Sequence, residues 1–348
     1  MSALITAIAP GRVNIIGDHT DYTGGLVLPM AIDLATTITG ERNRSGFIRL
    51  TSADEAGEVV LGTDVDDPTS VAPAWGRYVA GVVKALRESG AEVPGFTGQV
   101  TTTLPVGAGL SSSAALEVAV ALALGFSGSI IELAKLTQHA EHIASGVPCG
   151  ILDQLSSAAG VAGHALEIDC HSLAIVPVPM PTDVDVVIIF GHHRTLVGSA
   201  YAERVAQCAA AEALIGPLRL ATLDDVMEID DAVVAMRAQH VVSENQRVRD
   251  FGSAMRSSDY RAAGALMIES HQSLRNEFET STPQMDSLVS ELMIARGSLW
   301  SPDDGWRVRW LRGRPHRTRR PRRRLACHGI AWRSSGLAAV HLADPTIQ

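Results

Sequence analysis

Apolar and polar positions along this chain fall into blocks with two different periods. Residues 33–43, DLATTITGERN, and 46–54, GFIRLTSAD, alternate apolar and polar side chains, the period of a strand with one buried face. The N-terminal stretch ITAIAPGRVNIIGD predicts a short β-rich segment followed by a turn. WGRYVAGVVKALRESG has helical spacing and a glycine stop. GFTGQVTTTLPVG predicts another strand, which runs through a Gly/Ser turn into the helix former GAGLSSSAALEVAVALAL. ELAKLTQHAEHIASG predicts a helix ending at Gly146, VDVVIIF a buried strand and SAYAERVAQCAAAEAL an amphipathic helix. Strands and helices are mixed throughout, with no internal repeat or low-complexity linker, so the expected fold class is α+β in two layers. Prolines cluster in PVPMPTD and place a domain boundary near residue 180, giving units 1–178 and 179–296.

Composition adds three constraints. The 348 residues have room for two medium domains, and 46% of them are hydrophobic. No apolar run reaches the ~18–20 residues that span a bilayer, and MSALITAIAPGR lacks the charged region and cleavage site of a signal peptide. Cys149, Cys170, Cys208 and Cys327 are scattered, with neither metal-site spacing nor a disulfide framework. A cytoplasmic protein without a membrane partner is expected.

Net charge is −9, but it is divided unevenly. Residues 301–348 hold eleven Arg and three Asp, which leaves 18 basic and 35 acidic side chains on the rest. Four of the five tryptophans, Trp300, Trp306, Trp310 and Trp332, also lie at this end. Composition therefore breaks near residue 297. The acidic body argues against a nucleic-acid partner; only the tail DDGWRVRWLRGRPHRTRRPRRR suggests one.

Two stretches carry candidate chemistry. In LPVGAGLSSSAALEV, Gly107 and Gly109 allow a sharp turn and close backbone approach. Ser111, Ser112 and Ser113 then open a helix, and three serines exceed what one N-cap needs. Free N–H groups and the helix dipole make this an anion site. No lysine follows, so it is not a Walker loop, nor is it a dinucleotide GxGxxG. In APGRVNIIGDHTDYTGGLVLPMAI, the side chains Arg12, Asn14, Asp18, His19, Asp21 and Tyr22 crowd a glycine-punctuated segment. Such a set of donors and acceptors suits a polyhydroxylated ligand. A capped helix after a glycine turn and a solvated turn are the plain alternatives.

These stretches resemble a known family. GRVNIIGDHTDYTGG is similar to the galactokinase signature, and LPVGAGLSSSAALEV to the ATP motif shared by galactokinase, homoserine kinase, mevalonate kinase and phosphomevalonate kinase. GVPCGILDQLSSAAG, SAYAERVAQC, HVVSENQRV and SHQSLRNEFETSTPQMD resemble later galactokinase segments in order, so the likeness covers about residues 7–296. The resemblance implies a two-domain sugar kinase with its site between the domains, which uses ATP and Mg²⁺ to phosphorylate galactose at the anomeric hydroxyl. A kinase for N-acetylgalactosamine or arabinose, and a non-catalytic sugar-sensing regulator, stay open as other readings. A monomer acting on small molecules is expected.

The resemblance also implies roles. Asp153 matches the catalytic aspartate and Arg12 the arginine beside it. Asp18, His19, Asp21, Gly150 and Tyr201 match sugar-contacting positions, with Asp18 where the family has Glu. Gly107, Gly109, Ser111, Ser112 and Ser113 match the nucleotide loop, and Glu141 with Ser113 a magnesium site. His139, His142 and His271 are read as structural.

One family motif is missing. Galactokinases carry a third, C-terminal motif close to GARMTGGGFGG, a glycine turn beside the phosphate loop; here WSPDDGWRVRW stands in its place. Shifting the codons by one base explains the substitution. Tryptophan has the single codon TGG, so Trp300, Trp306 and Trp310 all become glycine, at the first, seventh and eleventh letters of the motif. Asp303 and Asp304 can become only Met or Thr, as the motif requires, and Ser301 to His316 can spell ARMTGGGFGGCVVALT. Residues 297–348 are thus read as an out-of-frame tail. An open sheet edge and reduced activity are expected from the loss.

Overall fold

The computed structural model describes residues 4–182, 184–190, 201–294, 298–302, 306–312, 331–334 and 341–342. Its backbone is built on two long antiparallel strands, β1 (Ile5–Ile16) and β2 (Leu26–Asn43). The apolar run at residues 27–32 of β2 is buried on both faces, and burial then alternates from Leu34 onward. The alternating part pairs with β5 (Gly95–Thr102), which runs parallel to β3 (Phe47–Ser52); β4 (Val59–Gly62) closes that edge. The start of β2 pairs instead with β6 (His164–Asp169), which is followed by β7 (Ile175–Pro179). β1 is longer than the short segment its sequence suggested. Register shifts between Pro10 and Arg12 and between Asn14 and Ile16 let the polar residues Arg12 and Asn14 sit within a strand rather than on a turn.

Four helices cover the sheet: α1 (Gly76–Glu88), α2 (Ser112–Leu124), α3 (Ile130–Ser145) and α4 (Leu152–Ala159). α2 is the central one, and every residue from Ala114 to Leu124 is buried, as its apolar, alanine-rich sequence requires. A buried helix end needs partners for its last carbonyls. Arg42 supplies them, donating to the Ala123 carbonyl at 2.8 Å and the Leu122 carbonyl at 3.2 Å. α3 starts with a Ser129/Glu132 capping box and stops at left-handed Gly146, the stop its sequence predicts.

After Pro179 the chain changes sheets. β8 (Val184–Phe190) is followed by α5 (Tyr201–Ile215), the short α6 (Leu223–Val226), the 25-residue α7 (Ala232–Arg256), α8 (Tyr260–Asn276) and α9 (Pro283–Ile294). β9 (Ser298–Pro302), β10 (Trp306–Arg312) and β11 (Ala331–Ser334) complete a sheet of order β11-β8-β10-β9, while β12 (His341–Leu342) pairs with β1. β8 is therefore paired on both sides, where the sequence suggested an open edge. The reason lies in Trp306-Arg307-Val308-Arg309-Trp310, whose alternation is a strand pattern whatever its origin.

One apolar cluster runs from Val13, Ile15 and Ile32 through Val83 and Val118 to Ile188 of β8, Phe251 of α7 and Leu292 of α9. A second cluster, around Cys208, Val241 and Phe278, holds α5 to α8 together. Among the described residues, no helix is long and apolar enough to cross a membrane.

α1 and α3 meet at Gly81, where an added Cβ would lie 2.5 Å from the Ala140 carbonyl oxygen. Gly81→Val is therefore expected to cost about 2–3 kcal/mol of unfolding free energy. The measurement is urea unfolding, and an unchanged midpoint would show that the contact is loose.

Candidate functional site

The loop before α2 is shaped by two left-handed glycines, Gly107 (φ 71°) and Gly109 (φ 78°). Ser111 is the N-cap of α2, yet it is also left-handed (φ 57°) and makes no capping bond with its side chain. Its hydroxyl is buried without a partner among the described residues. The start of α2 thus keeps its N–H groups uncapped by side chains, as an anion site needs. Gly107, Gly109, Ser111, Ser112 and Ser113 all line one cavity of about 410 Å³. The apolar and aromatic side chains Trp75, Tyr78, Val100 and Leu116 line it too.

Trp75 and Tyr78 escaped the sequence reading, because the helical spacing of WGRYVAGVVKALRESG accounted for them as core. A signal was present, since Trp75 is the single tryptophan before residue 300. Its indole N–H is buried and unpartnered among the described residues, so it is available to a ligand.

A smaller cavity of about 90 Å³ lies beside the first, lined by Asn14, Asp18, His19, Asp21, Cys149, Gly150 and Tyr201. Asn14 donates to Asp18 Oδ1 at 2.7 Å. His19 Nδ1 meets the Tyr22 hydroxyl at 3.1 Å, and its ring lies 5.8 Å from that of Tyr201 and 4.6 Å from that of Phe278. Gly150 is needed where it stands, because a Cβ there would come within 1.8 Å of Asp21 Oδ2. The segment is held from α3, whose Gln138 and His142 both donate to the Cys149 carbonyl, at 3.1 and 2.8 Å.

Arg12 and Asp153 line both cavities. Arg12 Nε and Nη2 reach Asp153 Oδ1 at 2.7 and 2.6 Å, and Nη1 donates to the Gly109 carbonyl at 2.8 Å. Asp153 sits in the first turn of α4. A short step away, Ser113 donates to Glu141 Oε1 at 2.9 Å and Gln154 to Glu141 Oε2 at 2.6 Å.

Acidic groups outnumber the one arginine here. Burial, then repulsion from Asp153, pushes Glu141 up to about 7 and Asp21 up to about 6. Glu117, fully buried on α2, is pushed well above the carboxylate range by burial and by Glu141. Neither of its oxygens makes a hydrogen bond of good geometry among the described residues, and only the nearby Gln154 amide counters the rise. It too was missed, although a lone glutamate in an apolar helix is a visible signal. His139 and His271 lie outside both cavities, paired with Glu88 at 2.7 Å and Asp286 at 3.4 Å.

Residues 77–161 match the family model for the N-terminal domain of GHMP kinases, and residues 2–42 match the galactokinase galactose-binding signature. A crystal structure of mevalonate kinase superposes with a TM-score of 0.62 at 19% identity, covering 89% of this chain and 91% of that one. The fold and the matched domain make this a GHMP kinase, a class that uses ATP.

Within that class the relatives are specific. Galactokinase from Homo sapiens is 40% identical over 306 residues, covering 83% of this chain and 78% of its own length. Galactokinase from Roseiflexus sp. is 43% identical over 307 residues, with 83% and 77% covered. The crystal structure of Lactococcus lactis galactokinase complexed with galactose superposes with a TM-score of 0.82 at 29% identity, covering 89% of this chain and 86% of that one. The chain belongs to the galactokinase family.

The raised Asp21 carboxyl gives a test of the site's electrostatics. Between the ordinary value of 3.8 and about 6, the folded state holds a proton that the unfolded state has released. Folding stability therefore falls as pH rises through that window. Asp21 retains some solvent exposure, so the penalty at neutral pH is about 1–2 kcal/mol rather than the full shift. Asp21→Asn is expected to stabilise the protein by that amount above pH 6 and by little near pH 4. Urea unfolding across this range measures it, and a gain independent of pH would contradict the raised carboxyl.

Proposed function

We propose that the chain transfers the γ-phosphoryl group of ATP to the anomeric hydroxyl of galactose, giving galactose 1-phosphate and ADP. The observation that carries this reading is the placement of Arg12 and Asp153 in the walls of both cavities. A hydroxyl bound in the smaller cavity and a phosphate at the start of α2 would meet at this pair. Phosphoryl transfer is governed by positioning and charge rather than by covalent chemistry from the protein.

In this reading Asp18, His19, Asp21, Gly150 and Tyr201 bind the sugar. The two carboxylates accept from its hydroxyls, and His19 presents its ring edge. Asp153 orients the attacking hydroxyl and accepts its proton. Arg12 holds that carboxylate in place and offsets charge on the group in transfer. Gly107, Gly109, Ser111, Ser112 and Ser113 take the phosphates, and Trp75 and Tyr78 the base. Glu141 and Ser113 would hold Mg²⁺, a hard cation suited to a carboxylate and a hydroxyl oxygen. The neighbouring buried carboxyls of Glu141 and Glu117 fit such an ion, since a divalent charge would offset the burial, and the added repulsion, that raise them. When bound, the ion would screen the phosphate charges.

Asp153→Asn is expected to lower phosphoryl transfer about 10²–10⁴-fold while leaving galactose binding within a few-fold of the parent. Coupled ADP-release kinetics and calorimetric sugar titration check both. Unaltered turnover would remove Asp153 from this role.

The out-of-frame tail belongs to the same proposal, as does a division of the body near residue 178. A chain whose third glycine motif is replaced by WSPDDGWRVRW is expected to turn over far more slowly than the same chain with its frame restored between about residues 285 and 299. Sequencing the coding DNA and assaying both proteins with galactose tests it. An alternate frame that does not encode GGGFGG, or equal rates, would refute the tail's assignment.

A further inference from the structure

The stretch HVVSENQRV, on the seventh helix, has no place in the chemistry above, yet three of its side chains reach the sugar loop. His240 Nε2 lies 3.0 Å from the Asp18 carbonyl oxygen, Glu244 Oε1 accepts from the Gly17 N–H at 2.9 Å, and Asn245 Oδ1 accepts from the Leu26 N–H at 2.7 Å. A carbonyl oxygen only accepts, so the ring proton must be on Nε2. The helix thus holds the loop at its first residues and again at its end. All three side chains are deeply buried, with His240 and Glu244 fully inaccessible to solvent. Glu244 is fixed in turn by Ser270 at 2.6 Å and Arg247 at 2.6 Å.

The gripped carbonyl belongs to the peptide that enters His19, a non-glycine residue in the left-handed region at φ 64°. Such a conformation persists only where its surroundings over-determine it. Here the determinants converge on one residue. The peptide before His19 is tied to His240, and the His19 ring packs on Phe278 at 4.6 Å, whose ring also contacts that of His240 at 4.6 Å. His240 therefore touches both the backbone that turns into His19 and the aromatic ring against which His19 rests.

We propose that His240 is a positioning residue for sugar recognition, which sets Asp18 and His19 in the smaller cavity through its hydrogen bond to the Asp18 carbonyl. This rests on the sugar-binding reading of that cavity. It assigns the seventh helix a task beyond packing, namely to make the strained loop rigid before the sugar arrives, so that the ordering cost is met on folding rather than on binding.

Two near-isosteric variants separate positioning from packing. His240→Gln places an amide N–H where Nε2 was and can keep the bond to Asp18. His240→Asn places its amide near Nδ1, which faces Ser273 Oγ at 2.7 Å, and cannot reach Asp18. Galactose affinity by calorimetry and hydrogen exchange of peptides covering residues 17–26 are the two readouts. His240→Asn is expected to weaken galactose binding about tenfold or more and to speed exchange in that loop by a similar factor. His240→Gln should stay within about threefold of the parent on both. Equal behaviour of the two variants would overturn the proposal. If the unaltered protein does not bind galactose, the functional reading fails and the exchange comparison decides this one alone. Should both variants unfold, exchange in the unaltered protein decides. Loop peptides as slow as those of the seventh helix sustain the assignment, and loop peptides as fast as the exposed turn at residues 43–47 overturn it.

Discussion

The pair formed by Arg12 and Asp153 is the constraint on which the rest of the site depends. It joins side chains 141 positions apart, one from the first strand and one from the first turn of α4. A guanidinium has a fixed planar fork, so its orientation defines several directions at once. One arm holds Asp153 and another holds the Gly109 carbonyl in the loop before α2. A single arginine thus sets the relative position of strand, phosphate loop and acid. The backbone N–H of the same residue donates to the Leu110 carbonyl, which ties the strand to that loop a second time. The register shift that brings Arg12 round to this side of β1 is consequently part of the site.

Charge around that pair is deliberately unbalanced. Desolvated carboxylates normally keep a partner or take a proton. Glu117 makes no hydrogen bond of good geometry among the described residues and is pushed toward its neutral form, while Glu141 and Asp21 are held near the point where they change charge. Folding stability is lost to this arrangement, which a scaffold selected only to fold would avoid. On the proposed reading, the excess of acid is intelligible because a polar ligand and a cation would replace water there.

Much of this was legible in the sequence. Glycine stops and local periodicity marked α1, the end of α3, β3, β5 and β8, because each is a local signal, while the first seven residues of β2 and the helices after Ile215 were not read. The phosphate loop and the polar loop were visible for the same reason. The length of β1 was not, because its bulges place polar side chains where strand alternation would not. Trp75, Tyr78 and Glu117 were hidden by helical periodicity, which treats any residue on the inner face as core. The grip of His240, Glu244 and Asn245 on the polar loop was beyond reach, since it joins segments more than two hundred residues apart.

Residues 298–302 and 306–312 show how little of a sequence backbone pairing requires. Strands β9 and β10 form there, and β10 runs antiparallel to β8 across seven residue pairs. Alternation is enough for that, because ladder hydrogen bonds come from the main chain. A phosphate-binding turn is more demanding. It needs left-handed backbone and close approach of N–H groups, which Gly107 and Gly109 provide before α2. Tryptophan and arginine at positions 306, 307, 309 and 310 carry the Cβ atoms that glycine lacks. The strand can therefore complete a sheet beside β8 and still be unable to bring its backbone up to an anion. On the proposed out-of-frame reading of the tail, fold and chemistry separate at this point in the chain: sheet pairing tolerates the substitution, and phosphate contact would not.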